Sequence, residues 1–121
     1  MASALNWFEI PASDIERAIA FYETILQQEL VRMEANDGYP MGMFPVESGV
    51  SGAVIQGEGY TPSTAGTVVY LNGGDDLSLV LQRVDDAGGQ TLMGKTDIGE
   101  NGFMAYFLDS EGNRVGLHSM S

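Results

Sequence analysis

An internal repeat constrains this fold more than any other feature of the chain. Ile15, Ala18, Ile19, Tyr22 and Ile25 match Leu77, Val80, Leu81, Val84 and Ala87 at one constant offset. Each set follows the i, i+3, i+4, i+7 spacing of a single helix face. Further on, Glu47-Ser48-Gly49 matches Ser110-Glu111-Gly112 at an offset one residue larger. The flanking segments fall into the same order. Residues 5–12 read as a strand. Ser13 with Glu16 reads as a capping box that opens the first helix. Residues 29–34, 41–46 and 52–56 read as three further strands. After the loop-like run at 57–66 the series returns, with a strand at 67–72 and a helix from Asp75 or Asp76 to the Gly88-Gly89 stop. Strands at 90–93, 102–108 and 114–119 complete it. A repeat of this kind decides the fold before any other signal. It predicts an α+β protein of two tandem βαβββ units, about 4–57 and 66–119, within one domain spanning 1–121. One helix covers one face of each curved mixed sheet, and the other face is left to line a cavity.

Composition narrows the function. With 17 acidic and 5 basic residues the formal charge is −12, which should repel nucleic acid and anionic membranes. No apolar run is long enough to span a bilayer, and MASALNWFEI lacks the basic and apolar regions of a secretion signal, so a cytoplasmic location is expected. The absence of cysteine removes disulfides, thiolate nucleophiles and cysteine metal sites together. There is no Gly-x-Ser-x-Gly elbow. Gly57-Glu58-Gly59 is turn chemistry. Asp75-Asp76 and Asp85-Asp86 read as helix capping and solvated surface.

Three stretches carry a family likeness: NWFEIPASDIERAIAFYETIL at the start, DDLSLVLQRVDDAGG in the middle and FMAYFLDSEGNRVGLHS at the end. With its strand–Asp–helix–Phe-Tyr entry and its D-x-x-G-N-x-x-x-L ending, the chain resembles the vicinal oxygen chelate superfamily. That superfamily includes lactoylglutathione lyase (glyoxalase), extradiol dioxygenases, epimerases and bleomycin resistance proteins. The chain is most similar to its small bacterial glyoxalase-like members. The resemblance implies paired βαβββ units, a tendency to form homodimers and, in the enzymes, a divalent metal held from the first and last strands of each unit. Carried over position by position, those ligand sites fall on Trp7, on Val69 or Val68, near Ala53, and on Gly116. None of these side chains offers the imidazole or carboxylate that a divalent ion needs, so no metal and no other cofactor is expected.

Alternation within the strands gives the residues of the free face. Trp7 and Glu9 come from the first strand, Met41 and Met43 from the third, Met104 and Tyr106 from their repeat mates, and Gly116 and His118 from the last. Such a set either fills a closed core or binds a flat or irregular apolar molecule by stacking and soft packing. Glu9 is the one acid among them and the candidate for proton transfer. His118, the only histidine, is either a partly exposed residue near the C-terminus or a partner of Glu9 in a two-ligand metal site. The reading that follows is a small-molecule binding protein with a metal-free cavity; the alternative is a metal-dependent lyase or dioxygenase of the lactoylglutathione lyase type.

Overall fold

In the computed structural model, which describes residues 3–35 and 37–121, the described residues form eight strands in two four-stranded mixed sheets. The first sheet holds β1 (Trp7–Pro11), β2 (Val31–Glu34), β3 (Pro40–Met43) and β4 (Ser51–Ile55), in the order β1-β4-β3-β2. The second holds β5 (Tyr70–Asn72), β6 (Gln90–Asp97), β7 (Phe103–Leu108) and β8 (Arg114–Ser119), in the order β5-β8-β7-β6. In each, the first and last strands of the unit pair in parallel and the remaining neighbours pair antiparallel. The repeat read from the sequence is thus a repeat of topology. No helix among the described residues is long and apolar enough to cross a membrane.

Helix α1 (Ile15–Leu26) turns its predicted stripe inward, with Ile15, Ala18, Ile19, Tyr22 and Ile25 all buried. Gly42 makes the close approach to β3 possible: a Cβ there would sit 2.7 Å from Ile19 Cγ1. The adjacent aromatics of α1 serve different units. Phe21 packs on Phe107 of the second sheet, with centroids 5.9 Å apart, while Tyr22 meets Phe44 of the first edge-on at 5.4 Å. Each such pair contributes about 0.5–1.5 kcal/mol beyond its burial. A single core results, with Ile10 and Val54 of one sheet and Leu71, Phe107, Val115 and Leu117 of the other.

Several local expectations need correction. The N-cap of α1 is Asp14, whose side chain accepts from Arg17 N at 3.2 Å, and not Ser13. The N–H groups of Ser13 and Asp14 instead donate to Glu111 Oε1, at 2.9 and 2.8 Å, and Glu16 leaves the supposed capping box to pair with Arg32. The second helix, α2, is short, Ser78–Leu81. Beyond it the backbone tightens to i→i−3 bonds, Arg83 to Val80 and Val84 to Leu81. Asp85-Asp86 and Gly88-Gly89 are weak helix formers, so nothing local sustains a wider helix. The burial stripe survives nonetheless, with Leu77, Val80, Leu81 and Val84 buried. At the strand ends, β3 stops before Pro45, which has no N–H to give, and β6 runs four residues past Met93 with irregular register.

Candidate functional site

The sheet faces turned away from the helices carry the predicted set. Trp7, Glu9, Met41, Met43, Met104 and Tyr106 all lie outside the buried core, and Trp7 retains 39% exposure. Glu9 is exposed as well, so the cavity around it is an open one. Both of its oxygens are nevertheless used. Trp7 Nε1 donates to Oε2 at 3.2 Å and the Tyr60 hydroxyl donates to Oε1 at 3.0 Å. The indole and the carboxylate share a face because one orients the other. Tyr60 comes from the long loop after β4 and was not foreseen; donating to Glu9 holds its phenol above the usual value, with some desolvation adding to the effect.

Register places each residue relative to the rest. Glu9 pairs with Ala53, and Ala53 with Met43, so these three form one row across the first sheet. Pro11, Ile55, Met41 and Met33 form the next. In the second sheet Tyr70, Gly116, Tyr106 and Met93 make a row, followed by Asn72, His118, Met104 and Thr96. Val69 packs against the core, and Tyr70 therefore takes the place beside Gly116 on the open face. Its ring lies across the glycine: a Cβ on Gly116 would be 2.6 Å from Tyr70 Cδ2. The Tyr70 and Tyr106 hydroxyls share a hydrogen bond of 2.5 Å. That bond, then desolvation, raise the Tyr70 phenol above its usual value, and nearby Arg114 acts in the opposite sense.

Arg114 adds a basic residue to this face. It follows the same alternation as Gly116 and His118, one pair earlier on β8, and its guanidinium stands 5.4 Å from the Tyr106 ring centre. A cleft of about 120 Å³ at the seam of the two sheets is lined by Glu9 and Arg114 together with Ser63, Thr67, Val69 and Asn113.

His118 lies elsewhere. Its Nε2 is 2.6 Å from the carbonyl oxygen of Asn101, which fixes that nitrogen as the protonated donor. It lines a separate hollow of about 540 Å³ with Tyr70, Asn72, Asp75 and Ser119. Four residues of strand, about 13 Å, separate it from Arg114 and the cleft of Glu9. The structure does not bring Glu9 and His118 together. Among the described residues no three His, Cys, Asp or Glu side chains gather where they could hold a metal ion. The positions onto which the family's ligands carry over hold Trp7, Ala53, Val68 or Val69, and Gly116, the last roofed by a tyrosine ring, and this donor set does not fit a divalent ion.

Paired βαβββ units, each with one helix behind a four-stranded sheet, define the class of this protein. The chain belongs to the Glyoxalase/Bleomycin resistance protein/Dioxygenase superfamily, whose family model matches residues 4–117. Among solved structures, it is similar to a glyoxalase/bleomycin resistance protein from Albidiferax ferrireducens at 16% identity and TM-score 0.70, with 95% of this chain and 98% of that one covered. A glyoxalase-related enzyme from Fulvimarina pelagi aligns at 15% identity and TM-score 0.66, over 93% and 85% of the two chains. A mutant of glyoxalase I from Zea mays aligns at 24% identity and TM-score 0.68; 95% of this chain covers 45% of that longer one. These likenesses establish the fold. The search of curated proteins found no match.

Proposed function

We propose that the chain is a binding member of this superfamily that holds a small flat apolar or aromatic molecule against the open sheet faces without a metal ion, and that it works as a homodimer. One observation carries the reading: at the positions where the enzymes of the family would hold their ion stand Trp7, Ala53, Val68 or Val69, and Gly116, with the Tyr70 ring over the last. What remains is an aromatic and thioether surface, Trp7, Tyr70, Tyr106, Met43 and Met104, suited to stacking and soft contact. Glu9, already oriented by Trp7 and Tyr60, offers an acceptor for a ligand N–H or O–H and the carboxylate for any proton transfer. Residues for acyl or phosphoryl transfer have no counterpart in the set.

Thermal stabilisation of the purified protein across a panel of aromatic and apolar metabolites tests this. Ligands of the open face are expected to raise Tm for the native chain and much less for Trp7→Ala. Hits that stabilise both proteins equally bind somewhere else, and a panel without a hit removes the reading. Metal content and turnover of a methylglyoxal–glutathione adduct with added Zn, Ni, Mn or Fe test the lyase alternative, which needs stoichiometric metal.

A further inference from the structure

Arg114 is anomalous among the cations of this chain. Arg17, Arg32 and Lys95 pair with carboxylates, and Arg83 donates to the carbonyl of Ile25. Arg114 makes no side-chain hydrogen bond among the described residues, and its Nε is buried without an acceptor. A buried guanidinium N–H left unpaired is destabilising, and native structures rarely keep one unless something else supplies the acceptor. Its head is held against the Tyr106 ring, and it opens on the seam cleft that Glu9 also lines. The unpaired donor and the cleft coincide beside the aromatic face.

We infer that Arg114 is the anion anchor of this face and that the ligand class is an aromatic molecule bearing a single carboxylate. This deepens the proposed binding role and rests on it. A guanidinium edge presents two parallel N–H groups, which match the two oxygens of a carboxylate. The charge balance selects a monoanion. Glu9 lies in the same cleft, and the chain as a whole carries −12, so a second negative charge meets repulsion with no further cation to offset it. The cleft, at about 120 Å³, accommodates a head group and no more, which leaves the ring of the ligand over the aromatic surface outside it. An N–H or O–H on that ring would find Glu9.

Calorimetric titration with benzoate, 3-phenylpropanoate, indole-3-acetate and the primary amide of each decides the matter, on the native protein, Arg114→Gln and Arg114→Lys. On the native protein at least one acid is expected to bind about tenfold or more tightly than its amide. Arg114→Gln should abolish that preference by weakening the acid far more than the amide, while Arg114→Lys, which keeps the charge but loses the planar fork, should retain part of it. Equal binding of acid and amide to the native protein overturns the inference and leaves the binding role standing, as does a preference that survives in Arg114→Gln. Should no acid, amide or other neutral aromatic bind, both fall. The acid–amide comparison on the native protein stands even if Arg114→Gln does not fold.

Discussion

Tyr22 donates its phenolic proton to Asp109, Oη to Oδ2 at 2.7 Å, and so ties the helix of the first unit to the last turn of the second. Asp109 is 4% exposed and accepts three more hydrogen bonds: from Glu111 N and Asn113 N, both at 2.9 Å, and from Asn113 Nδ2 at 3.0 Å. Asn113 Nδ2 in turn reaches the carbonyl of Pro11 at 2.7 Å. The D-x-x-G-N ending and the Phe-Tyr of the helix are thus two halves of one clasp. Removing the carboxylate strands four donors in a buried site, and at about 1–3 kcal/mol for each buried donor left unsatisfied, Asp109→Ala is expected to cost well more than the loss of one hydrogen bond. Tyr22→Phe removes a single donor and should cost about 1–2 kcal/mol. Urea unfolding of both variants checks the order; a milder effect of Asp109→Ala than of Tyr22→Phe would show that the clasp is not what joins the units.

Acid should loosen the same region at Glu111 and, separately, the contact of Asp76 with Lys95. The Glu111 side chain is fully shielded; burial pushes its carboxyl up, but the Arg17 guanidinium and the N–H groups of Asp14 and Ser13 outweigh that and leave it below its ordinary 4.5. Asp76, bonded by Lys95 and then Ser78, is lowered from 3.8 to about 2. Both folded values lie below the unfolded ones, so the unfolded chain takes up these protons first. The stabilisation is complete above the unfolded value and is lost as pH falls through the folded one. Unfolding free energy is therefore expected to be flat above pH 4.5 and to decline towards pH 2. In Glu111→Gln the decline should be shallower and the neutral-pH stability lower. A slope identical to that of the native protein would mean that Glu111 is not a source of it.

Gly116 permits the tyrosine pair. A methyl group there meets the Tyr70 ring at 2.6 Å, and the ring, 45% exposed, has room to swing out. Gly116→Ala should therefore break the Tyr70–Tyr106 bond at a cost of about 1–3 kcal/mol. The decisive readout is ionisation. With its bond to Tyr106 intact, Tyr70 titrates above 10. In Gly116→Ala its ring-carbon NMR signal, assigned with Tyr70→Phe, should move back towards the ordinary value, while Tyr60 stays put. An unmoved Tyr70 would show that the bond survives the methyl group.

The fold was legible because both units hide their apolar residues at regular periods, and period determines which face is inward. Leu77, Val80, Leu81 and Val84 are buried as read, although the hydrogen bonding behind them is largely not α-helical. Period alone does not separate tight turns from a helix. At α1 both Ser13 and Asp14 are good caps by local chemistry; Glu111, which arrives from a distant part of the chain, takes the N–H groups of both and leaves Asp14 as the cap. Alternation along β8 already placed Arg114 on the face of Gly116 and His118, so that residue was within reach of the sequence. Tyr60 was not, since a loop has no period to follow. The separation of Glu9 from His118 depends on which end of β8 meets the seam, and pairing between the units leaves no local trace.

The open face of the first sheet continues to its edge. Val31 and Met33 on β2 are 48% and 41% exposed, and they extend the rows of Met43 and Met41 respectively. An apolar surface that runs unbroken to an exposed edge strand favours burial against a second copy, consistent with the proposed homodimer. Replacing either residue by lysine should weaken the dimer without unfolding the protomer, because both side chains point away from the core. Light scattering at micromolar concentration is expected to give twice the 13.0 kDa chain mass for the native protein and a shift towards one chain for Val31→Lys and Met33→Lys. Each burial is worth about 1.5–3 kcal/mol per protomer, enough to move a micromolar dissociation constant by one to several decades. A native protein that scatters as a monomer removes the dimer, and a dimer indifferent to both lysines places its interface on another face.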